Sequence, residues 1–366
     1  MKAQITAKQI MYASAVIIIA TSLMTKHLYT FLGTEAWVAV IIGLLLSALY
    51  TAIYAGLSYQ FPGSSLVEIS EAVFGKVIGK IISIFYLYFF ITIAAVNTNS
   101  MGTFIKNFVL QNTPLILIML SFTAVCVWAV RKGPSNMLKY GMLFAVGSTL
   151  IILLNLLLLY KVIHYKNFLP IFVKPPVDYF AASHLISLIP LADPFLLLMF
   201  QPNMQNPRAF GKALFNGLAL GGAVLLIIVL RDIAVLGNIS TIFSFPAYAV
   251  VRMIDVGDIL TRMDIIYVFT LIALMFFKVS VALYAAVSTF QRLCKFESYQ
   301  FLVYIMGALL ILYANNAFHS MFDHSAWFTS GAAAFQVTFF AVFLPLATLL
   351  TALIRGMFKK PQTAGQ

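Results

Sequence analysis

Two ionisable side chains, Lys278 and Asp193, lie deep inside apolar stretches of this 366-residue chain. Lys278 sits near the middle of the run from Ile265 to Phe290, which holds no other charge. An ammonium at bilayer depth costs at least about 2.5 to 3.5 kcal/mol on insertion scales, so it normally faces a partner or a cavity and marks a functional site. Asp193 falls within Ile189-Pro190-Leu191-Ala192-Asp193-Pro194-Phe195, with Pro202 just beyond. Two prolines four apart remove backbone donors and crowd the preceding carbonyls, so a helix here should be kinked or unwound. Backbone freed at membrane depth is tolerated only against protein or a wet cavity, which makes Asp193, Pro194 and Phe195 candidate ligand contacts. A kink that only aids packing is the plainer alternative. Lys278 is the natural counter-charge to Asp193, as part of a ligand site or as a pin between two helices; a protonated, uncharged Asp193 is the third possibility.

Two further groups are polar enough to line a ligand path. Ala20-Thr21-Ser22 and Thr25 put hydroxyls in the first apolar stretch, and Asn97, Thr98, Asn99 and Ser100 follow the aromatic run Phe85 to Phe90. Thr21, Ser22, Asn97 and Asn99 are therefore candidate ligand contacts, since buried polar groups need partners. Small residues also serve close helix packing, and no Gly or Pro between Gln9 and Phe31 predicts a break in the first stretch. No Cys and His cluster has zinc spacing and no Gly-rich phosphate loop follows a strand, so neither an enzyme nor a metal or other cofactor is expected. His319 and His324, with Asp323 between them, read as a solvated loop.

The elements that position these residues must be membrane helices. Hydrophobic residues make up 62% of the chain and charged ones 9%, against the roughly 45–50% apolar content of soluble domains. Runs of about 20 uncharged residues recur, and none alternates at period two long enough for a barrel strand. The expectation is an all-α polytopic membrane protein, one transmembrane domain over 1–366, with about ten spans: 9–30, 36–59, 77–111, 114–130 and 137–160, then 183–201, 212–230, 265–290, 299–317 and 327–353. Five plus five is the arrangement of inverted-repeat transporters, which often carry a discontinuous helix at corresponding places in each half.

The formal charge of +12 is scattered between spans and forms no basic stripe with interleaved aromatics, so nucleic acid is not an expected partner. It reads as a topology signal. With Lys278 left aside, Lys and Arg divide fourteen against eight between alternating sides, and the excess shares the side of both termini, predicting them to be cytoplasmic. The opening apolar run continues past any small-residue cleavage site, which suits a span better than a signal peptide. Cys126 and Cys294 cannot build a disulfide framework. Two connections hold helical patterns. Leu66, Ile69 and Val73 share a face beside Glu68 and Glu71, predicting a short interfacial helix. Pro246 to Asp264 spaces Val250, Val251, Ile254 and Ile259 helically, with Asp258 and Arg262 four apart, as a lid or a plain surface helix.

Several stretches, in this order and spacing, resemble the B-subunit family of spore germinant receptors, permease-like members of the amino acid, polyamine and organocation transporter superfamily. They are Glu35-Ala36-Trp37, Phe61-Pro62, Met199-Phe200-Gln201-Pro202, Phe245-Pro246 with Val251-Arg252-Met253-Ile254, Ile259 to Arg262, Phe277-Lys278-Val279-Ser280 and Tyr284-Ala285-Ala286. The resemblance implies a ten-helix inverted-repeat fold in the spore inner membrane, surrounded by membrane lipid. It also implies assembly with an A subunit and a lipoprotein C subunit, and detection of a small-molecule germinant such as an amino acid. Family members usually break the first span with Gly and Pro, where this chain has Ala20-Thr21-Ser22 and Met24-Thr25, and many carry Glu at the position of Asp193. By analogy of position, Lys278 would replace the sodium ion that related folds hold near the eighth helix. A proton-coupled amino acid transporter with Lys278 as the titrating group is the competing reading of the same fold.

Overall fold

Without water to satisfy its backbone, a chain this apolar must close its hydrogen bonds within helices. The computed structural model describes residues 4–24, 26–254, 263–318, 327 and 331–356. In order, the helices of the first half are α1 (Ala7–Met24), α2 (His27–Thr30), α3 (Ala36–Gln60), α4 (Leu66–Phe74), α5 (Lys76–Phe108), α6 (Leu115–Arg131), α7 (Pro134–Lys139) and α8 (Gly141–Leu158). The second half holds α9 (Pro176–Leu188), a 3-10 segment (Asp193–Asn203), α10 (Phe210–Leu236), α11 (Pro246–Val251), α12 (Met263–Cys294) and α13 (Leu302–Ala317). It closes with α14 (Ala332–Val337), a π-helical segment (Thr338–Phe343) and α15 (Leu344–Ile354). Among the described residues, eight helical segments are long and apolar enough to cross a membrane, and α6 and α13 are shorter apolar helices.

The packing follows the two-fold logic of the halves. The first span, α1, packs on the seventh, α10, while the second, α3, packs on the sixth, α9. Exchanging the halves turns one pairing into the other. These four helices form one group. The other contains α5, α6, α12 and α13, with α12 on α5 and α6, and α13 on the same two. Close approach inside the first group depends on small residues: a Cβ on Gly217 of α10 would lie 2.6 Å from Met11 O and 2.5 Å from Ser14 Cβ on α1.

The structure departs from the sequence expectations in four places. The first span does not run unbroken to Thr30: α1 ends at Met24 and α2 begins at His27. Thr21 and Ser22 both turn their hydroxyls back, to Ile17 O at 3.1 Å and Ile18 O at 2.7 Å, a back-bonding that loosens the following turn. The seventh span passes Leu230 to reach Leu236, so Arg231 lies inside α10 and not in an outer connection. Arg231 is neutralised there by its neighbour Asp232, at 2.6 Å, with both side chains buried. The tenth span carries the π segment. The short helix expected near residues 65–74 forms as α4, opened by a capping box between Ser65 and Glu68, but Leu66, Ile69 and Val73 are buried against protein. Ile69 and Val73 meet Leu57 of α3 and Ala352 of α15, a satellite core in place of a lipid contact. Of the expected lid, α11 buries Val250 and Val251, whereas Asp258, Ile259 and Arg262 lie outside the described residues, as do His319, Asp323 and His324.

Candidate ligand site

The sixth span breaks where its prolines predict. Pro190 and Pro194 offer no N–H, α9 ends as Ile189 turns extended (φ −132°, ψ 106°), and the chain resumes at Asp193 as a 3-10 segment. The break puts the Asp193 carboxylate beside α12. Lys278 Nζ donates to Asp193 Oδ2 at 2.7 Å and also to Thr21 Oγ1 of α1. Thr21 Oγ1 itself lies 3.2 Å from the same carboxylate oxygen. Lys278 is 2% exposed and Asp193 7%, so this three-helix junction is buried enough that neither charge could stand alone. The ammonium also joins the two helix groups, since Lys278 lies on α12 of one and Thr21 on α1 of the other, with Asp193 on the 3-10 segment that packs against both helices.

A cavity opens on this junction, with roughly 60 Å³ of room for water-sized spheres. Its polar lining includes Thr21, Asn97, Ser100, Asp193, Lys278 and Gln336; Met24, Phe89, Ile93, Val96 and Val337 supply most of the rest. At about 10–15 Å³ per water by this measure, it holds about four waters or a compact guest of similar size. Asn97 donates to Ile93 O at 2.7 Å, which turns its amide along its own helix. Asp193 Oδ1 accepts no hydrogen bond among the described residues.

Of the residues singled out from sequence, Thr21, Asn97, Asp193 and Lys278 thus meet at one cavity. Ser22, Asn99, Pro194 and Phe195 do not line it. Ser22 is occupied with Ile18 O, and Asn99 donates to Ala314 O of α13 at 2.9 Å on another side of α5. Pro194 helps to make the break, and Phe195 packs among Tyr54, Tyr86, Phe89 and Phe90, with ring centroids 5.5–6.3 Å apart. Sequence reasoning missed Gln336, although a lone amide within the apolar run Ala332 to Phe343 was a readable signal.

This arrangement of helices is shared with known transporters. One is Mhp1, a nucleobase-cation-symport-1 family transporter solved in a closed conformation with bromovinylhydantoin bound (TM-score 0.59, 12% identity, 94% of this chain and 80% of that one). Another is a manganese transporter from Eremococcus coleocola (TM-score 0.59, 12% identity, 97% and 82%). The sequence decides the family: the model described as "Spore germination protein" matches residues 4–317. The chain belongs to this spore germination permease family. Spore germination protein KB of Bacillus subtilis (strain 168) is 28% identical over 320 residues, covering 85% of this chain and 84% of that protein. Spore germination protein B2 of the same organism is 23% identical over 237 residues, 63% of each.

In this germination permease further polar contacts lie on either side of Lys278 along α12 and at the ends of the two broken spans. On the side away from residue 5, Tyr267 Oη donates to Leu23 O at 2.7 Å, meeting a carbonyl at the end of α1, while His27 Nε2 lies 3.3 Å from Ile189 O at the other break. On the opposite side, Ile5 pairs with the end of the 3-10 segment, donating to Asn203 O at 2.8 Å and accepting from Gln205 N at 2.9 Å. Tyr284 Oη donates to Asn203 Oδ1 at 3.1 Å and its ring packs on Phe200. A second buried polar cluster went unread in the sequence. Arg231 and Asp232 of α10 pair, and Tyr29 Oη of α2 donates to Asp232 Oδ2 at 2.8 Å.

Proposed function

We propose that this chain is the permease-like subunit of a spore germinant receptor, and that a small nutrient germinant, an amino acid in the first instance, occupies the cavity at the Lys278–Asp193–Thr21 junction. The observation that carries the reading is that junction itself. One buried ammonium holds the broken sixth span and the first span together at a cavity wall, and it comes from the other helix group. A guest that donates to Asp193 Oδ1 or competes for the Lys278 ammonium changes the link between the groups. Occupancy is thereby converted into a change in their relative position. Such a guest shifts the protein only if it binds one arrangement better than the other. In this reading Lys278 serves as a fixed cation where related folds hold sodium. The chain works beside a receptor A subunit and a lipoprotein C subunit in the spore inner membrane, with both termini cytoplasmic.

A proton-coupled amino acid transporter is the competing reading of the same buried pair. Purified protein in liposomes separates the two. Saturable amino-acid binding without uptake is the expected result, and concentrative uptake driven by a proton gradient would instead establish the transporter.

A further inference from the structure

The cavity lining carries polar groups that the Lys278–Asp193 pair does not use. Gln336, on α14, lines the cavity and its side-chain amide makes no hydrogen bond among the described residues. Asn97, in the same lining, spends its Nδ2 on Ile93 O, while its Oδ1 accepts nothing among the described residues. Phe89, Ile93, Val96 and Val337 of the same lining offer contact but no hydrogen bond. The ion pair is already balanced, one cation against one anion at 2.7 Å.

From this we infer that Gln336, with Asn97, is the specificity-determining element of the site, and that its guest is a compact molecule of zero net charge carrying an uncharged hydrogen-bonding group for these two amides. The inference rests on the ligand site proposed above. Two physical effects set the selection. A guest with one net charge would leave that charge unpaired in a cavity whose own charges cancel, a heavy desolvation penalty. A guest without the hydrogen-bonding group would bury the Gln336 amide and Asn97 Oδ1 unsatisfied, and sites built to hydrogen-bond a substrate group reject the analogue lacking it far more strongly than apolar pockets reject a change in size.

The test is isothermal titration of the full-length protein in detergent with five probes: serine, its deoxy relative alanine, the cation serinamide, the anion N-acetylserine, and uncharged lactamide. Wild type is expected to bind serine or lactamide at least about tenfold more tightly than alanine, and either charged probe more weakly still. Gln336→Met, close in shape, should reduce the preference over alanine to within about threefold. Gln336→Glu, which gives the cavity a net negative charge, should turn the preference towards serinamide. Thermal melts show that each variant is folded, and either variant alone suffices for the comparison. Tighter binding of a singly charged probe by wild type, or a preference unmoved by both variants, overturns the assignment of Gln336. Binding of none of the five overturns both the assignment and the site beneath it, whereas binding with an unaltered preference overturns only the assignment.

Discussion

Lys278 and Asp193 are each buried enough that removing one strands the other. Lys278→Met should lower stability by about 3–5 kcal/mol, the usual result of breaking a buried pair. Combining it with Asp193→Leu should restore most of that loss, because an apolar pair of similar volume is often neutral or better. Unfolding of the single and double variants in detergent checks both statements, and a double variant as unstable as the single one would show that the pair is not the relevant unit. The same reasoning applies to Arg231 and Asp232, where Arg231→Met should cost a similar amount while Tyr29→Phe, which removes one hydrogen bond to a charged group, should cost about 1.5–3 kcal/mol. These residues also mark how far the sequence could be read. Lys278 and Asp193 were legible because each charge stands alone in an apolar run. Arg231-Asp232 was not, because adjacent opposite charges near the end of a run look like the start of a loop, and only Tyr29, some 200 positions away, shows that they are buried. Asn97 and Asn99 read alike, and the difference lies in helix rotation: one meets the cavity, the other meets Ala314 O.

The broken sixth span is the element on which the site depends, and its break was legible because proline chemistry is local. The end of α1 at Met24 was not, since no Gly or Pro announces it; two hydroxyls bonded back to the preceding turn, and a partner carbonyl contact from Tyr267, are features of the folded neighbourhood. The π segment of the tenth span was equally unreadable, because Thr338 to Phe343 has the composition of ordinary membrane helix; one of its carbonyls, Ala341 O, accepts from Tyr54 Oη at 2.6 Å. How tightly the elements pack is testable with a single methyl group. Gly217→Ala places a Cβ against the α1 backbone and should destabilise by about 1–3 kcal/mol, whereas Gly147→Ala on α8, with nothing within 4 Å, should be neutral or slightly stabilising. Thermal denaturation of the two variants makes the comparison, and equal effects would contradict the close seam between α1 and α10.

At the scale of the molecule, the two helix groups meet along α12, which packs on α1 and the 3-10 segment and adds three polar contacts: Tyr267 to the end of α1, Lys278 at the centre, and Tyr284 to Asn203. The all-α polytopic character and the order of the apolar helices were legible from hydropathy alone. The grouping was not, because it depends on contacts between residues far apart in sequence. The proposed orientation has its own test, using Cys294, which is exposed at the end of α12, and Cys126, which is buried. A membrane-impermeant thiol reagent should label Cys294 only after the membrane is opened, and labelling of intact vesicles or cells would place the termini on the opposite side.

The central claim is that the Lys278–Asp193 junction binds the ligand and is not a pin alone. Calorimetric titration of the Lys278→Met/Asp193→Leu double variant, chosen because its stability should approach that of the parent, addresses this most directly, with an amino acid or sugar that binds the parent as titrant. Affinity is expected to fall by at least about a hundredfold while the fold is retained. Binding by the double variant within about threefold of the parent would contradict that claim and reduce the buried pair to a structural strut.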